Sequence, residues 1–163
     1  MAPLKLNTPA QESVWDYPRP PRVEVEARPV KIVFNGVTIV DSSRAVRVLE
    51  TSHPPSIYVP FEAVAPGVLE RNPRSTTCEW KGRAEYWNVR VGDLTAPAAA
   101  WSYPQPSPGY ETLAGFVSFY PALMESCFLG AEVVRPQPGR FYGGWITADI
   151  VGPFKGGEGT RGW

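Results

Sequence analysis

Apolar and polar side chains alternate with a period of two along much of this chain, which is typical of half-buried β-strands. The clearest case is residues 84–91. Every second residue from Trp87 onward is apolar and falls on one face of the strand, whereas every second residue from Tyr86 onward carries a polar group and falls on the other face. Runs rich in β-branched residues at 45–51 and 56–60 also have the length and composition of strands. The pattern therefore predicts a sheet protein with short strands.

A hairpin is predicted where two β-branched runs flank the dipeptide Asn35-Gly36. Asparagine followed by glycine suits a two-residue turn, because both central positions need positive φ. Nineteen prolines and fifteen glycines divide the rest of the chain into short segments. This punctuation favours a mainly β fold over a helical bundle.

One stretch has a helical period instead. Leu113, Phe116 and Tyr120 recur at spacings of three and four residues, which predicts one short helix of about three turns near 110–122. Pro121 would end or kink this helix.

The remaining parts of the chain are interpreted as arms around this core. Residues 132–135 and 145–151 have β-like runs, followed by a glycine-rich end. We expect one domain over 1–163, with an N-terminal arm at 1–27 and a C-terminal arm at 123–163.

A short motif, Trp-x-Tyr-Pro-x-Pro, occurs at 15–20 and again at 101–106. Proline favours extended backbone and packs well on aromatic rings, so each copy is interpreted as a rigid corner. The alternative is that both tryptophans frame one ligand cleft.

Composition narrows the partners. The chain is 43% hydrophobic and 20% charged, as in a globular domain with a packed core. Sixteen basic residues balance sixteen acidic ones, which speaks against nucleic acid or an anionic membrane as a partner. Neither a signal-peptide core nor a run of 18 apolar residues occurs, so we expect a cytoplasmic protein.

Metal and cofactor sites find little support. The chain has two cysteines, Cys78 and Cys127, and one histidine, His53, whereas a structural zinc site takes about four such ligands. The phosphate loop, the dinucleotide glycine motif, the nucleophile elbow and the zinc-protease motif are all absent. We therefore expect no metal and no cofactor.

Two places could carry chemistry. Glu50 precedes His53 by three residues, and a carboxylate beside an imidazole suits acid/base work, although a turn facing water would explain the same residues. Lys81 follows Trp80 and lies near Cys78 in an irregular stretch, where an ammonium could anchor an anion or simply extend along the ring to solvent.

The glycine-rich tail contains Lys155 and Arg161. Its backbone N–H groups could cradle an anion, although its composition favours a flexible tail over that reading.

Four motifs together resemble the family catalogued as domain of unknown function 427. They are "RVLETSHPPSIYVP", "TTCEWKGRAEYW", "AAAWSYPQP" and "LAGFVSFY", and the resemblance covers about residues 28–122. "VWDYPRPPR" and "GGWITADIVGPFKGGEGT" resemble a longer subgroup with extensions at both ends.

The resemblance implies a tent-like or Mss4-like fold, in which two antiparallel sheets pack at a large angle. Relatives of this architecture often hold zinc between paired C-x-x-C hairpins, which this chain lacks, so a metal-free version is expected. A nucleotidyltransferase label used for the family finds no support, because no Gly-Ser followed by paired aspartates occurs here.

The resemblance also indicates a site, since polar and aromatic residues in loops point to binding more than to packing. Glu79 replaces a proline that is common in the pattern. The predicted catalytic residues are Glu50, His53 and Lys81, and the predicted ligand-binding residues are Tyr58, Cys78, Trp80, Tyr86, Trp101, Ser102 and Tyr103.

Two functional hypotheses follow. The first is a metal-independent pocket for a small polar molecule, with acid/base residues that would suit an enzyme. The second is an interaction module that binds a partner peptide, or a second copy of itself as a weak homodimer, through sheet edges and aromatic-proline segments. A monomer is equally compatible with the sequence.

Overall fold

The chain consists of β-strands joined by turns and short 3-10 helices, as shown by a computed structural model that describes residues 11–139 and 141–163. In these ranges no helix reaches seven residues, and the mainly β prediction is confirmed. The strands are β1 (Glu12–Ser13), β2 (Arg22–Val25), β3 (Val30–Phe34), β4 (Val37–Ser42), β5 (Val46–Leu49), β6 (Ser56–Pro60), β7 (Leu69–Cys78), β8 (Gly82–Val91), β9 (Leu94–Ser102), β10 (Phe116–Phe119), β11 (Ser126–Leu129), β12 (Glu132–Val133), β13 (Arg135–Pro136), β14 (Trp145–Ile146) and β15 (Ile150–Val151). The 3-10 helices are η1 (Val14–Asp16), η2 (Phe61–Ala63), η3 (Glu111–Leu113) and η4 (Pro121–Leu123).

Two antiparallel sheets make up most of the domain. The larger has the order β2-β5-β6-β10-β9-β8-β7, and the smaller has the order β12-β11-β3-β4. Two short ladders lie outside these sheets, a parallel one between β1 and β15 and an antiparallel one between β13 and β14.

The predicted hairpin is present between β3 and β4. Asn35 and Gly36 have φ values of 48° and 73°, and Phe34 pairs with Val37 across the turn. The positive φ at both positions explains why this dipeptide was a reliable signal.

The central strands of the larger sheet, β6, β10 and the end of β9, are buried on both faces. One face packs against the smaller sheet through residues such as Val59, Val89 and Phe119. The opposite face carries an aromatic cluster that includes Tyr58 and Trp101. The angle between the two sheets, and with it the tent-like type, stays a prediction.

The predicted helix near 110–122 is wrong. The segment forms η3, then strand β10 between β6 and β9, then η4, and Gly115 has a φ of 80° that no helix accommodates. Val117 and Phe119 are buried on one face of β10, while Ser118 is buried on the other. A strand covered on both faces loses its alternation, and its spacing can then imitate a helix.

The two arms meet each other. Strand β1 pairs with β15 in parallel, Glu12 opposite Ile150. Arg47 on β5 holds this end in place, because its guanidinium donates to both Glu12 oxygens at 2.9 and 3.0 Å and to Glu24 at 2.8 Å. The first ten residues of the predicted N-terminal arm lie outside the described residues.

The two copies of the Trp-x-Tyr-Pro-x-Pro motif occupy different places. Trp15 lies against Trp163, with ring centroids 5.2 Å apart, and its indole N–H donates to the Pro153 carbonyl at 2.9 Å. Trp101 belongs to the aromatic cluster of the larger sheet. The tryptophans do not frame one cleft, so the alternative of a shared aromatic cleft is wrong.

Helices in the described part of the chain are all too short and polar to cross a membrane.

Candidate functional site

A cavity of about 290 Å³ lies on the aromatic face of the larger sheet. Its walls come from the end of β5 and the turn after it, from the β7–β8 hairpin, from β9, and from residues 137–139 and 141–155, which are called the C-terminal segment below. The volume is at the lower end of the range of roughly 300–1,000 Å³ found for ligand pockets.

All of the predicted site residues except one line this cavity, although they come from distant parts of the chain. They are Glu50, His53, Tyr58, Cys78, Trp80, Lys81, Tyr86, Trp101 and Tyr103. A shared pocket required Glu50 and Lys81 to lie on the same side of the domain, and they do. The roles of these residues in binding or catalysis stay predictions.

Ser102 is the exception. Neighbouring residues of a strand point to opposite faces, so Ser102 faces away from the cavity that Trp101 lines. Its hydroxyl is buried and accepts a hydrogen bond of 2.9 Å from the Trp87 indole. The geometry gives Ser102 a contact within the sheet and none with the cavity.

The β7–β8 hairpin places Cys78, Trp80 and Lys81 at the cavity. Strand β7 ends at Cys78, and β8 begins at Gly82, whose φ of 108° favours glycine. A Cβ at Gly82 would lie 3.2 Å from the Ser107 hydroxyl, and the Ser107 N–H donates to the Lys81 carbonyl at 2.9 Å. The contacts with Ser107 therefore hold the loop in place and fix the backbone that carries the Lys81 side chain.

His53 has a defined tautomer. Gln137 accepts from the Gly144 N–H at 3.0 Å through Oε1 and donates to the Lys155 carbonyl at 2.7 Å through Nε2. The same Nε2 lies 3.3 Å from His53 Nδ1, so Nδ1 accepts and the ring proton resides on Nε2. That nitrogen faces Glu50 Oε2 at 3.5 Å.

His53 is neutral at physiological pH. Burial lowers its pKa to about 4, and the positive charges of Lys155, Lys81 and Arg19 act in the same direction. Glu50 favours the protonated ring, but one carboxylate does not outweigh burial together with three cations.

Two phenols in the cavity, those of Tyr58 and Tyr103, are also neutral. Tyr58 accepts a hydrogen bond of 3.0 Å from the Trp101 indole, and burial raises its pKa. Burial likewise raises the pKa of Tyr103. Such groups remain hydrogen-bond donors over the whole physiological range.

The model of one protein family, described as Domain of unknown function (DUF427), matches residues 22–130. The chain belongs to this family. The DUF427 match contains the predicted site residues and ends before the C-terminal segment. No curated protein matches the chain. Within residues 11–139 and 141–163, no three or more His, Cys, Asp and Glu side chains are grouped to hold a metal ion.

The C-terminal segment supplies cavity residues beyond the DUF427 match. Gln137, Tyr142, Gly143 and Lys155 all line the cavity, and sequence reasoning predicted none of them as a site residue. For Lys155 the glycine-rich context was a signal, although a flexible tail was the favoured interpretation. Gly143 begins the stretch that resembles the longer subgroup, whereas Gln137 and Tyr142 lie in no recognisable motif. Only the folding of the segment back onto the sheet brings these three residues to the site.

The two thiols should differ sharply in reactivity. Cys78 lines the cavity and is half-buried, whereas Cys127 is buried and burial raises its pKa to about 12. We expect iodoacetamide at mildly alkaline pH to add one carbamidomethyl group, on Cys78, as read by peptide mass spectrometry. The Cys78→Ser variant should take up none until it is unfolded. Modification of Cys127 in the folded protein would contradict the burial described here.

Proposed function

We propose that this DUF427 protein is a cytoplasmic protein that binds a small polar ligand in the cavity beside Glu50, His53 and Lys81. The proposal rests on one observation: residues from four separated motifs and from the C-terminal segment line a single cavity that combines titratable groups with aromatic walls. Perturbed titratable groups in a concave pocket are more frequent at functional sites than elsewhere.

The hydrogen bonds suggest distinct roles within this proposal. Glu50 is the group that would transfer a proton, because its carboxylate is partly exposed to the cavity. Both ring nitrogens of His53 are directed at protein partners, so His53 would orient Glu50 rather than take the proton itself. Lys81 would hold an anionic group of the ligand. An enzyme using Glu50 as acid or base is the finer form of the proposal.

The test is a thermal-shift screen of the purified protein against a broad metabolite panel. A ligand at a hundred times its dissociation constant stabilises the folded state by about 2.7 kcal/mol, which raises Tm by roughly 5–10 °C for this length. We expect the shift to be lost in Lys81→Met and in Glu50→Gln.

The controls are the same substitutions at exposed positions away from the cavity, Lys31→Met and Glu62→Gln. Both should keep the shift. If no compound of the panel binds, or if the cavity variants bind as well as the controls, the proposed function is wrong.

Peptide binding by strand addition has less support. Strand β7 forms one edge of the larger sheet, but it contains Pro73 and a register shift between Asn72 and Ser75. The same strand also carries two charged side chains. The Arg71 side chain is about half exposed and lies over the Trp87 ring, and the Arg74 side chain lies over the Tyr86 ring. Proline, irregular pairing and charge are the features that protect sheet edges from added strands.

A further inference from the structure

Two lysines that are 74 residues apart in the sequence reach the same cavity. Lys81 comes from the β7–β8 hairpin and Lys155 from the C-terminal segment. The Lys81 ammonium lies 5.7 Å from the centre of the Tyr103 ring, and that of Lys155 lies 5.5 Å from the centre of the Tyr142 ring. Both charged ends are therefore directed along aromatic walls of the cavity.

Neither ammonium group is paired with an Asp or Glu side chain. Among the ion pairs formed by residues 11–139 and 141–163, none includes Lys81 or Lys155. Lys155 donates to the main-chain oxygen of Trp163 at 3.0 Å, which uses one of its three protons and leaves two for a ligand. Two ammonium groups without an Asp or Glu partner at one cavity favour an anionic occupant.

The negative groups at the cavity leave this balance in place. Glu50 has Arg19 Nε at 3.9 Å, so its charge is partly offset by a cation that is not part of the cavity lining. Glu79 is exposed to solvent, which screens its field. The neutral state of His53 is consistent with the same excess, because Lys155 and Lys81 both help to keep the proton off the ring.

The walls next to these charges are flat. Tyr142 contacts His53 edge to face, with centroids 4.8 Å apart, and the half-buried Trp80 also lines the cavity. Aromatic side chains of this kind receive a planar ring by offset stacking or by an edge-to-face contact. A cavity of about 290 Å³ leaves room for about one ring with a short substituent.

We propose that the ligand is a small organic anion, a carboxylate or phosphate ester attached to one planar ring, whose charged group binds between Lys81 and Lys155. This inference rests on the proposed function and deepens it, since Lys155 becomes a binding residue contributed by a segment outside the DUF427 match. The ring occupies the space beside Tyr142 and Trp80.

The experiment compares probes that differ in one property at a time. Benzoate and phenyl phosphate carry ring and charge, benzamide carries the ring alone, cyclohexanecarboxylate carries the charge without a flat ring, and acetate carries only the charge. Affinity is measured by calorimetric titration of the full chain. We expect benzoate or phenyl phosphate to bind, benzamide to bind about tenfold or more weakly, and cyclohexanecarboxylate and acetate to bind more weakly than benzoate.

Lysine variants locate the anion. Lys155→Met and Lys81→Met should each weaken binding about tenfold or more, while Lys155→Arg, which keeps the charge, and the exposed Lys31→Met should retain it. The charge-retaining variant keeps the test decisive if Lys155→Met proves unstable. The difference between benzoate and phenyl phosphate shows which anionic group the two lysines prefer.

Two results would overturn the inference. One is benzamide binding as tightly as benzoate, and the other is full affinity in Lys155→Met. If both charged ring probes fail while neutral metabolites bind and lose their shift in Glu50→Gln, the inference is wrong and the proposed function stands. If no compound of either set binds, the cavity has no ligand function and both proposals fail.

Discussion

The Gly143→Ala variant should lose about 1–3 kcal/mol of unfolding free energy, as overpacked sites generally do. A Cβ at position 143 would lie 2.4 Å from Trp101 Cη2 and 3.1 Å from a ring carbon of Tyr120. Neither ring can retreat easily, because Trp101 packs against Tyr120 at 4.6 Å and donates to Tyr58 at 3.0 Å. The C-terminal segment would have to move away from the sheet instead.

Thermal and denaturant unfolding measure this loss, each kcal/mol corresponding to about 2–4 °C in Tm for a chain of this length. Gly162→Ala is the matched control, since nothing lies within 4 Å of a Cβ at that position and its φ is outside the left-handed region. Any ligand found in the screen should also bind more weakly to Gly143→Ala. Equal stability of the two variants would show that the segment is not seated on Trp101 as described.

The strands were predictable wherever one face of the pleat differs from the other or a turn has a strict φ requirement. The dipeptide Asn35-Gly36 is sufficient to predict its turn, because both residues have positive φ there. Tyr86 and Trp87 point to opposite faces of β8, and each face packs against a different hydrophobic cluster. The prediction was wrong for Val117 and its neighbours, where a helix was expected and the chain forms a strand that is buried on both faces. A doubly buried strand carries no local mark that separates it from a helix.

The residues of the candidate site also fall into two groups, those that the sequence could predict and those that it could not. Glu50, His53 and Lys81 stand out in the sequence because titratable and aromatic residues crowd into short motifs there. Gln137 and Tyr142 do not, since their importance comes only from contacts with residues far away in the sequence, such as the 3.3 Å approach of the Gln137 amide to His53. Pairings over such distances are set by tertiary packing and leave no periodic trace in one chain.

The N- and C-terminal arms support the site from outside it. Ser52 donates its backbone N–H to the Val14 carbonyl at 3.0 Å and accepts from the Lys155 N–H at 2.8 Å. The turn that carries His53 is thus held between both arms, and Ser52 keeps a positive φ of 71° there. Because both arms hold this turn, the buried environment of the His53 imidazole depends on the folded structure. Protonation of the ring should therefore change the free energy of unfolding.

Stability should fall as the pH drops from about 6.5 to about 4 because of His53. The pKa of this imidazole is about 4 in the folded protein, below the ordinary value of 6.5. Within that window the unfolded chain binds a proton that the folded chain rejects, so acid favours unfolding. The contribution is fully present above pH 6.5 and is lost as the pH falls through the folded pKa. Its size is roughly 2–3 kcal/mol.

Denaturant titrations of the wild type and of His53→Gln across this pH window isolate the effect. Glutamine removes the titrating ring and leaves every other titratable group of the protein in place. The pH dependence of the unfolding free energy that comes from those other groups therefore cancels in the difference between the two proteins. The wild type should lose roughly 2–3 kcal/mol more than the variant. Glu50→Gln removes the one neighbouring group that favours the imidazolium, so that variant should lose at least as much as the wild type. Parallel pH profiles for the wild type and His53→Gln would mean that the ring titrates normally and is open to solvent, and Gln137 and Lys155 could not then enclose it.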